Sequence, residues 1–310
     1  MVEYNDLKPA LIGAEVILNV LVNSVVIAVI LRYPELREDR NTLFILSLSV
    51  ADLASGCTTM PISAAVCSRV TSFVLSDHRY LPKIWGLSSW WFGSVSVYSL
   101  FWANMSKAVA IITPFRSEHL LSRKRCYVII VMTWIVAFLF ASVHFNIDAM
   151  MEPRTCSITY PKTNNLGIFF LFYFVIAAVI PRALLIYGTI RIFIVVQRTK
   201  RQIAGQAQSV TTAGSGATNM YLITAQAIRT SVNIILLCVV TLILITPIFV
   251  YSIIHNVTDQ DVPVDFGFYA LRLFEINTIV ISLLYLVQFS AVRKKTCHMF
   301  NEIYEFIRGI

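Results

Sequence analysis

Six ionisable side chains stand in or beside stretches that otherwise hold no charge: Glu15, Asp52, Lys107, Arg182, Arg272 and Glu275. Charges in such surroundings are expensive, so they pair, bind an ion or line a polar pathway. Arg182 follows Pro181 and has the chemistry either to hold an anion or to pair with a carboxylate. Nothing in the chain looks like a catalytic constellation. No nucleophile sits beside a base and no glycine-rich phosphate loop occurs, so enzyme chemistry has no support. The six cysteines show no CxxC pair and no metal spacing, and the five histidines are scattered, which argues against zinc or haem.

The elements that carry these residues follow from composition. Of 310 residues, 57% are hydrophobic and 14% charged. Soluble domains run about 25% charged, and a soluble chain could not cover this much apolar surface. The chain reads as an integral membrane protein, and the net charge of +8 is not a nucleic-acid signal. A crossing helix needs about 20 apolar residues. Seven stretches qualify, at about 9–31, 41–68, 84–112, 126–147, 163–191, 230–256 and 266–289. None shows the alternation of a membrane β-strand. The expected fold is all-α: a seven-transmembrane helix bundle over residues 1–292, then a cytoplasmic amphipathic helix and tail over 293–310.

Basic residues set the orientation. With the N-terminus outside, sixteen Lys and Arg fall in inner loops and seven in outer ones, as the positive-inside rule wants. The sequon at Asn256 then lies outside and is a candidate for glycosylation. No cleavable signal is evident, so the first span would be its own anchor. About eight residues precede that span, too few to capture a large ligand. Ala204–Asn219, rich in Gly, Ser and Thr, would be a flexible link between spans five and six. After Tyr285, Arg293, Lys294 and Lys295 precede Phe300, Ile303, Tyr304, Phe306 and Ile307, the pattern of a helix on the inner membrane surface.

Individual residues narrow the family. Asn23 stands in span one, and span two carries Leu48-Ser49-Val50-Ala51-Asp52-Leu53. Trp134 is in span four, Pro181 in five, Pro247 in six, and Asn277 and Tyr285 in seven. The stretch Ala108–Arg116 includes Pro114. Together these resemble the rhodopsin-like (class A) G-protein-coupled receptors over nearly the whole chain. The departures are several. The Asp-Arg-Tyr element becomes Ser106-Lys107-Ala108, Cys-Trp-x-Pro becomes Leu244-Ile245-Thr246-Pro247, and Asn-Pro-x-x-Tyr becomes Ile281–Tyr285.

The resemblance implies a cell-surface receptor in the plasma membrane. It would bind a small molecule or short peptide among its helices and signal through heterotrimeric G proteins, with membrane lipids around it. It implies coupling residues at Lys107, Ser106, Tyr285 and Arg116, and a pocket near Ser89, Trp90, Arg272 and Glu275. Asp52, Ser96 and Asn277 match positions that hold a sodium ion in the family; the competing reading is a protonated Asp52 bonded to Asn23 and Asn277. Ser89 replaces the acid that anchors amines, which disfavours a monoamine. Glu275 stands where opsins carry their retinal lysine, which excludes retinal. Glu275 could hold a cationic ligand or pair with Arg272 or Arg182. Lys107, without its neighbouring acid, implies raised basal activity or weak coupling, unless it merely reaches the inner headgroups. Cys156 would bond the start of span three, but Pro82 stands there. Cys67 is then the nearby partner; otherwise both thiols are free. Trp85 reads as an interface-belt residue, and Cys57, Cys126 and Cys238 as packing. The competing functions are a seven-span transporter or channel using Asp52, Lys107, Arg182 and Glu275, and a decoy receptor that no longer signals.

Overall fold

A computed structural model describes residues 7–68, 80–112, 117, 119–143, 150–152, 156–159, 172, 175–207, 232–233, 236–237, 239–254 and 263–308. Arg116 and Asn256 lie outside the described residues, as do Pro114, Cys238 and the link over 208–219.

The first apolar stretch forms α1 (Leu7–Arg32), and its C-terminal end turns through α2 (Pro34–Glu38); the end of the bundle that holds Leu7 is called outer here and the opposite end inner. Asp39 then starts α3 (Arg40–Cys57): its carboxylate accepts from the Asn41 amide at 3.3 Å and the Thr42 hydroxyl at 3.0 Å. That satisfies orphan donors of the first turn. The second span does not run straight. It breaks at Thr58 and resumes as α4 (Thr59–Cys67), because Pro61 has no amide for the carbonyl four residues earlier. The Thr58 and Thr59 hydroxyls turn back onto the carbonyls of Ala54 and Ser55, at 2.7 and 2.8 Å.

The longest helix is α5 (Leu81–Ile112), which packs on α3 and on α6 (Arg123–Ser142). A π-helical turn at Val175–Val179 leads into α7 (Ile180–Ala207). There, Pro181 lacks the amide that a π turn would offer the Ile176 carbonyl, and the Tyr98 hydroxyl of α5 donates to that oxygen instead, at 3.2 Å. The sixth span is described over Val239–Ile254 (α8), and α9 (Val264–Gln288) is followed by α10 (Ser290–Arg308). Among the described residues, four helices are long and apolar enough to cross a membrane, with α5 and α7 outside that set.

A short antiparallel hairpin interrupts the all-helical picture. β1 (Met150–Glu152) pairs with β2 (Ser157–Thr159), Met151 opposite Ile158. Cys156, just before β2, has φ 55° and is fully buried. It is bonded to Cys67 at the end of α4, Cα to Cα 4.9 Å. Ile12 and Phe268 pack around the bridge, so the hairpin sits on the outer ends of α1, α4 and α9.

The core lies between α1, α3, α5 and α9. Val26, Ile30, Phe44, Leu48, Leu100, Ile281 and Tyr285 are buried there with Leu237. Close approach depends on Gly56. A methyl there would stand 2.5 Å from Asn19 Oδ1, and Asn19 is held by Thr278 and Asn23. Small residues at helix contacts suit a bundle in lipid, where there is no hydrophobic drive between helices. The outward face of α6 is apolar, with Val128, Val131, Ile135 and Leu139 exposed.

Two expectations fail here. Trp85 is not at an interface: its ring is 6% exposed, and its N–H reaches the Thr59 carbonyl and the Ser63 hydroxyl at 3.1 and 3.0 Å. Cys57 is exposed rather than packed, while Cys126 is fully buried.

Gly56→Ala is expected to cost about 1–3 kcal/mol, seen as a lower unfolding midpoint in detergent. Gly13→Ala, with nothing within 4 Å of the new carbon, should leave the midpoint unchanged. Breaking the bridge with Cys67→Ser, which opens a closure of 89 residues, is expected to cost about 4 kcal/mol. Reductant should remove the difference between wild type and variant.

Candidate functional site

Three polar layers cross the bundle from the outer to the inner side. The outer one joins α1 to α9. Arg272 Nη1 donates to Glu15 Oε2 at 2.9 Å and also pairs with Glu275, one turn along its own helix. All three side chains are almost fully buried. A spacing of three puts Arg272 and Glu275 on one helix face, so the guanidinium that reaches Glu15 across the bundle also meets Glu275. The Arg272 Nε and Nη2 and Glu15 Oε1 have no hydrogen-bond partner among the described residues. Phe268 lies against the guanidinium, 5.6 Å from the ring centre. The expectation that Glu275 pairs with Arg272 holds in this geometry, with Glu15 as a second acid. The Arg182 side chain lies outside the described residues.

The middle layer surrounds Asp52. Its carboxylate is 1% exposed and accepts a hydrogen bond from Ser96. A small cavity lies beside it, lined by Asp52, Ser55, Ser89, Ser96, Asn277 and Thr278, with Phe92, Phe274 and Glu275 at its apolar and outer edges. It leaves about 20 Å³ for the centre of a water-sized occupant, room for one such particle. Asp52 Oδ2 and Asn277 Oδ1 are buried with no hydrogen-bond partner among the described residues. A sodium ion fits this site by donor chemistry: a carboxylate, an amide oxygen and hydroxyls are the ligands a hard cation takes. Asn23 does not bond Asp52. It accepts from the Ser282 hydroxyl at 2.7 Å and donates to the Asn19 carbonyl at 3.0 Å, while Asn19 donates to Thr278 at 2.6 Å. Asn23 therefore ties α1 to α9 and leaves Asp52 to Ser96 and the cavity.

The structure thus brings Ser89 and Glu275 to the same cavity as Asp52, Ser96 and Asn277. Trp90 and Arg272 are not among its lining residues. Arg272 points at the two acids, and Trp90 is half-buried, with its carbonyl accepting from Ser94 at 2.5 Å. The neighbouring ring, Trp91, turns toward α6, where it meets Trp134 edge-on and donates to the Trp134 carbonyl at 3.1 Å. Trp134 in turn donates to Ser47 at 3.0 Å, and Ser47 bonds Ser99 at 3.0 Å.

The inner layer holds the coupling candidates. Ser106 donates to its own helix, to the Ala103 carbonyl at 2.9 Å. Lys107 does not reach outward: its Nζ is buried without a hydrogen-bond partner among the described residues. It lies 3.3 Å from the Phe289 ring centre and 5.1 Å from that of Tyr285. Tyr285 is fully buried and stacked on Phe289, centroids 4.7 Å apart. Two contributors escaped sequence reasoning. Tyr98 and Phe289 are aromatic residues in apolar spans, and nothing in their spacing marks them from their neighbours.

Arg272→Met should destabilise the fold by about 3–5 kcal/mol, because it strands two buried carboxylates. Adding Glu15→Gln and Glu275→Gln should recover most of that loss. Unfolding midpoints of the single and triple variants in detergent check both expectations.

Comparison with known proteins follows the same lines. The family model described as 7 transmembrane receptor (rhodopsin family) matches residues 22–295. The chain is similar to a melanopsin of Branchiostoma belcheri, 27% identical over 191 residues, which are 58% of this chain and 26% of that protein. It is also similar to octopamine receptor 1 of Lymnaea stagnalis, 27% identical over 132 residues, 43% of this chain and 20% of that receptor. The matched stretch spans about a quarter or less of the length of these curated relatives. The matched family is one of multi-pass membrane receptors rather than enzymes, and with the match running from the first span into the last helix, this chain belongs to the rhodopsin family of seven-transmembrane receptors.

Proposed function

We propose that the protein is a plasma-membrane receptor that senses a small extracellular ligand and signals through heterotrimeric G proteins, with a sodium ion in the Asp52 cavity biasing its resting state. The observation that carries the reading is the cavity itself. Asp52, Ser96 and Asn277 come from three spans and meet at one small space, and two of their oxygens are left without hydrogen bonds. An ion shared by three helices holds one arrangement of them, and a ligand that favours another arrangement must release it. Signalling is then a shift of population between the two.

The ligand would enter from the outer side, above Ser89 and Glu275. Glu275 is engaged by Arg272, and Ser89 offers a hydroxyl where an amine anchor would need an acid. The reading therefore favours a small molecule or short peptide over a monoamine. It carries no retinal, since a carboxylate cannot form the Schiff base a lysine would.

Sodium is expected to raise the unfolding midpoint of the purified protein over choline at equal ionic strength, rising with log concentration above its Kd. Asp52→Asn should abolish the increment. Equal midpoints in the two salts would sink the ion site. A panel of G-protein sensors in cells, at matched surface expression, tests the coupling: a basal signal in one channel is expected, suppressed by sodium in wild type and not in Asp52→Asn. A surface-expressed protein that stays silent in every channel against a broad ligand library would count against signalling.

A further inference from the structure

Lys107 Nζ is buried and has no hydrogen-bond partner among the described residues, and its surroundings explain how it is held. The ammonium sits over the face of Phe289 at 3.3 Å and beside that of Tyr285 at 5.1 Å. The two rings are nearly parallel, 19° apart, and stack at 4.7 Å. A desolvated ammonium on an aromatic face is strongly attracted by the ring quadrupole. Asp39 is the acid whose charge reaches Lys107, but its oxygens are committed to the start of α3 through Asn41 and Thr42. Ser106 is turned onto its own helix. Among the described residues, the ring pair alone engages the Nζ directly.

The placement of the rings gives this contact a use. Lys107 is five residues from the end of α5. Tyr285 lies in the last turn of α9, and Phe289 is the junction residue between α9 and α10. Its amide bonds the Tyr285 carbonyl at 3.2 Å and its carbonyl accepts from Arg293 at 2.8 Å, so the ring is held by two helix ends. The cage thus spans from α5 to the α9–α10 corner. We propose that Phe289, with Tyr285, is the positioning residue that holds Lys107 and latches the inner end of α5 to that corner, keeping the bundle in its resting arrangement. Any movement that parts α5 from α9 must first pull the ammonium off the rings. That requires another partner for it, which an acidic group of a cytoplasmic protein entering the opened cleft would supply. The inference rests on the receptor reading only for what the latch restrains; the contact stands apart from it.

The test is a distance measurement in lipid nanodiscs without ligand or G protein. Spin labels at positions 124 and 294, both exposed, report the separation of α6 from α10, in a background with Cys57→Ser and Cys297→Ser. The native cage should give one dominant distance. Phe289→Leu keeps an apolar side chain and removes the π face; it should raise a second, longer-distance population on the order of tenfold. Lys107→Met, which keeps length and removes charge, should do the same, and the double variant should add nothing further. Phe289→Tyr should restore the native distribution. A Phe289→Leu distribution identical to wild type overturns the latch. So does an equal change in Phe289→Leu and Phe289→Tyr, which would mark a packing role. Should Phe289→Leu fail to fold, Lys107→Met decides: a native distribution there overturns the proposal. Basal G-protein activity on the same variants separates the two readings. Shifted distances with silent sensors keep the latch and count against signalling.

Discussion

A polar group surrounded by hydrocarbon must find its partner on another helix, and that constraint orders this bundle. Apolar side chains do not choose between a neighbouring helix and lipid, so packing fit and polar links decide which helices meet. The links are specific. Glu15 and Asn19 on α1 reach Arg272 and Thr278 on α9. Asn23 reaches Ser282 on the same helix, one turn further in. Positions 15, 19 and 23 are one face of α1, spaced by four, and their partners 272, 278 and 282 follow in the same order along α9. A single register therefore satisfies all three, and a slip of one residue would strand all three in an apolar core. Ser47 does the same for the neighbouring pair, joining Trp134 of α6 to Ser99 of α5.

The saturated links and the unsaturated ones have different consequences. Where donors and acceptors are matched, as at Asn23, the helices are fixed. Asp52 and Asn277 keep oxygens without a hydrogen-bond partner among the described residues, beside a space the size of one small particle. An ion there, as proposed above, would be part of the packing, and its departure would leave a bare carboxylate in the core. The outer triad is intermediate. One guanidinium offsets two carboxylates but uses only Nη1, so charge is better matched than hydrogen bonding. This makes the triad a brace for the wall above the cavity rather than a second free anchor.

The fold was legible in the sequence because its signal is long: apolar runs of about 20 residues survive almost any local detail. The candidate site was legible in part, for the same reason. Asp52, Arg272 and Glu275 stand out because charge is rare in such runs. Their direction was less readable. The reading of Asp52 bonded to Asn23 failed because Asn23 faces α9, and a span's sequence does not say which neighbour each face meets. Trp85 carried the composition of an interface residue, yet turns inward, where the Thr59 carbonyl and the Ser63 hydroxyl of the facing helix accept from its ring N–H. The hairpin around Cys156 is too short to produce an alternating pattern, and the bridge to Cys67 follows from where the hairpin sits.

The departures that the resemblance to the family implies would be mutually consistent at the inner end. Ser106 removes the acid that would pair the adjacent cation, and Ile281, 1% exposed, puts an alkyl group where an amide would have stood. Each change alone would leave Lys107 charged in a drier crevice with fewer partners. An arginine there would need its five donors met and its planar fork accommodated; a lysine needs only one small ammonium covered. Aromatic faces can do that without any hydrogen bond. The loss of the acid, the loss of the amide, the exchange of arginine for lysine and the stacking of Phe289 on Tyr285 are therefore one arrangement. In the latch proposed above, an apolar restraint on the third span would take the place of a polar one at the same end of the bundle.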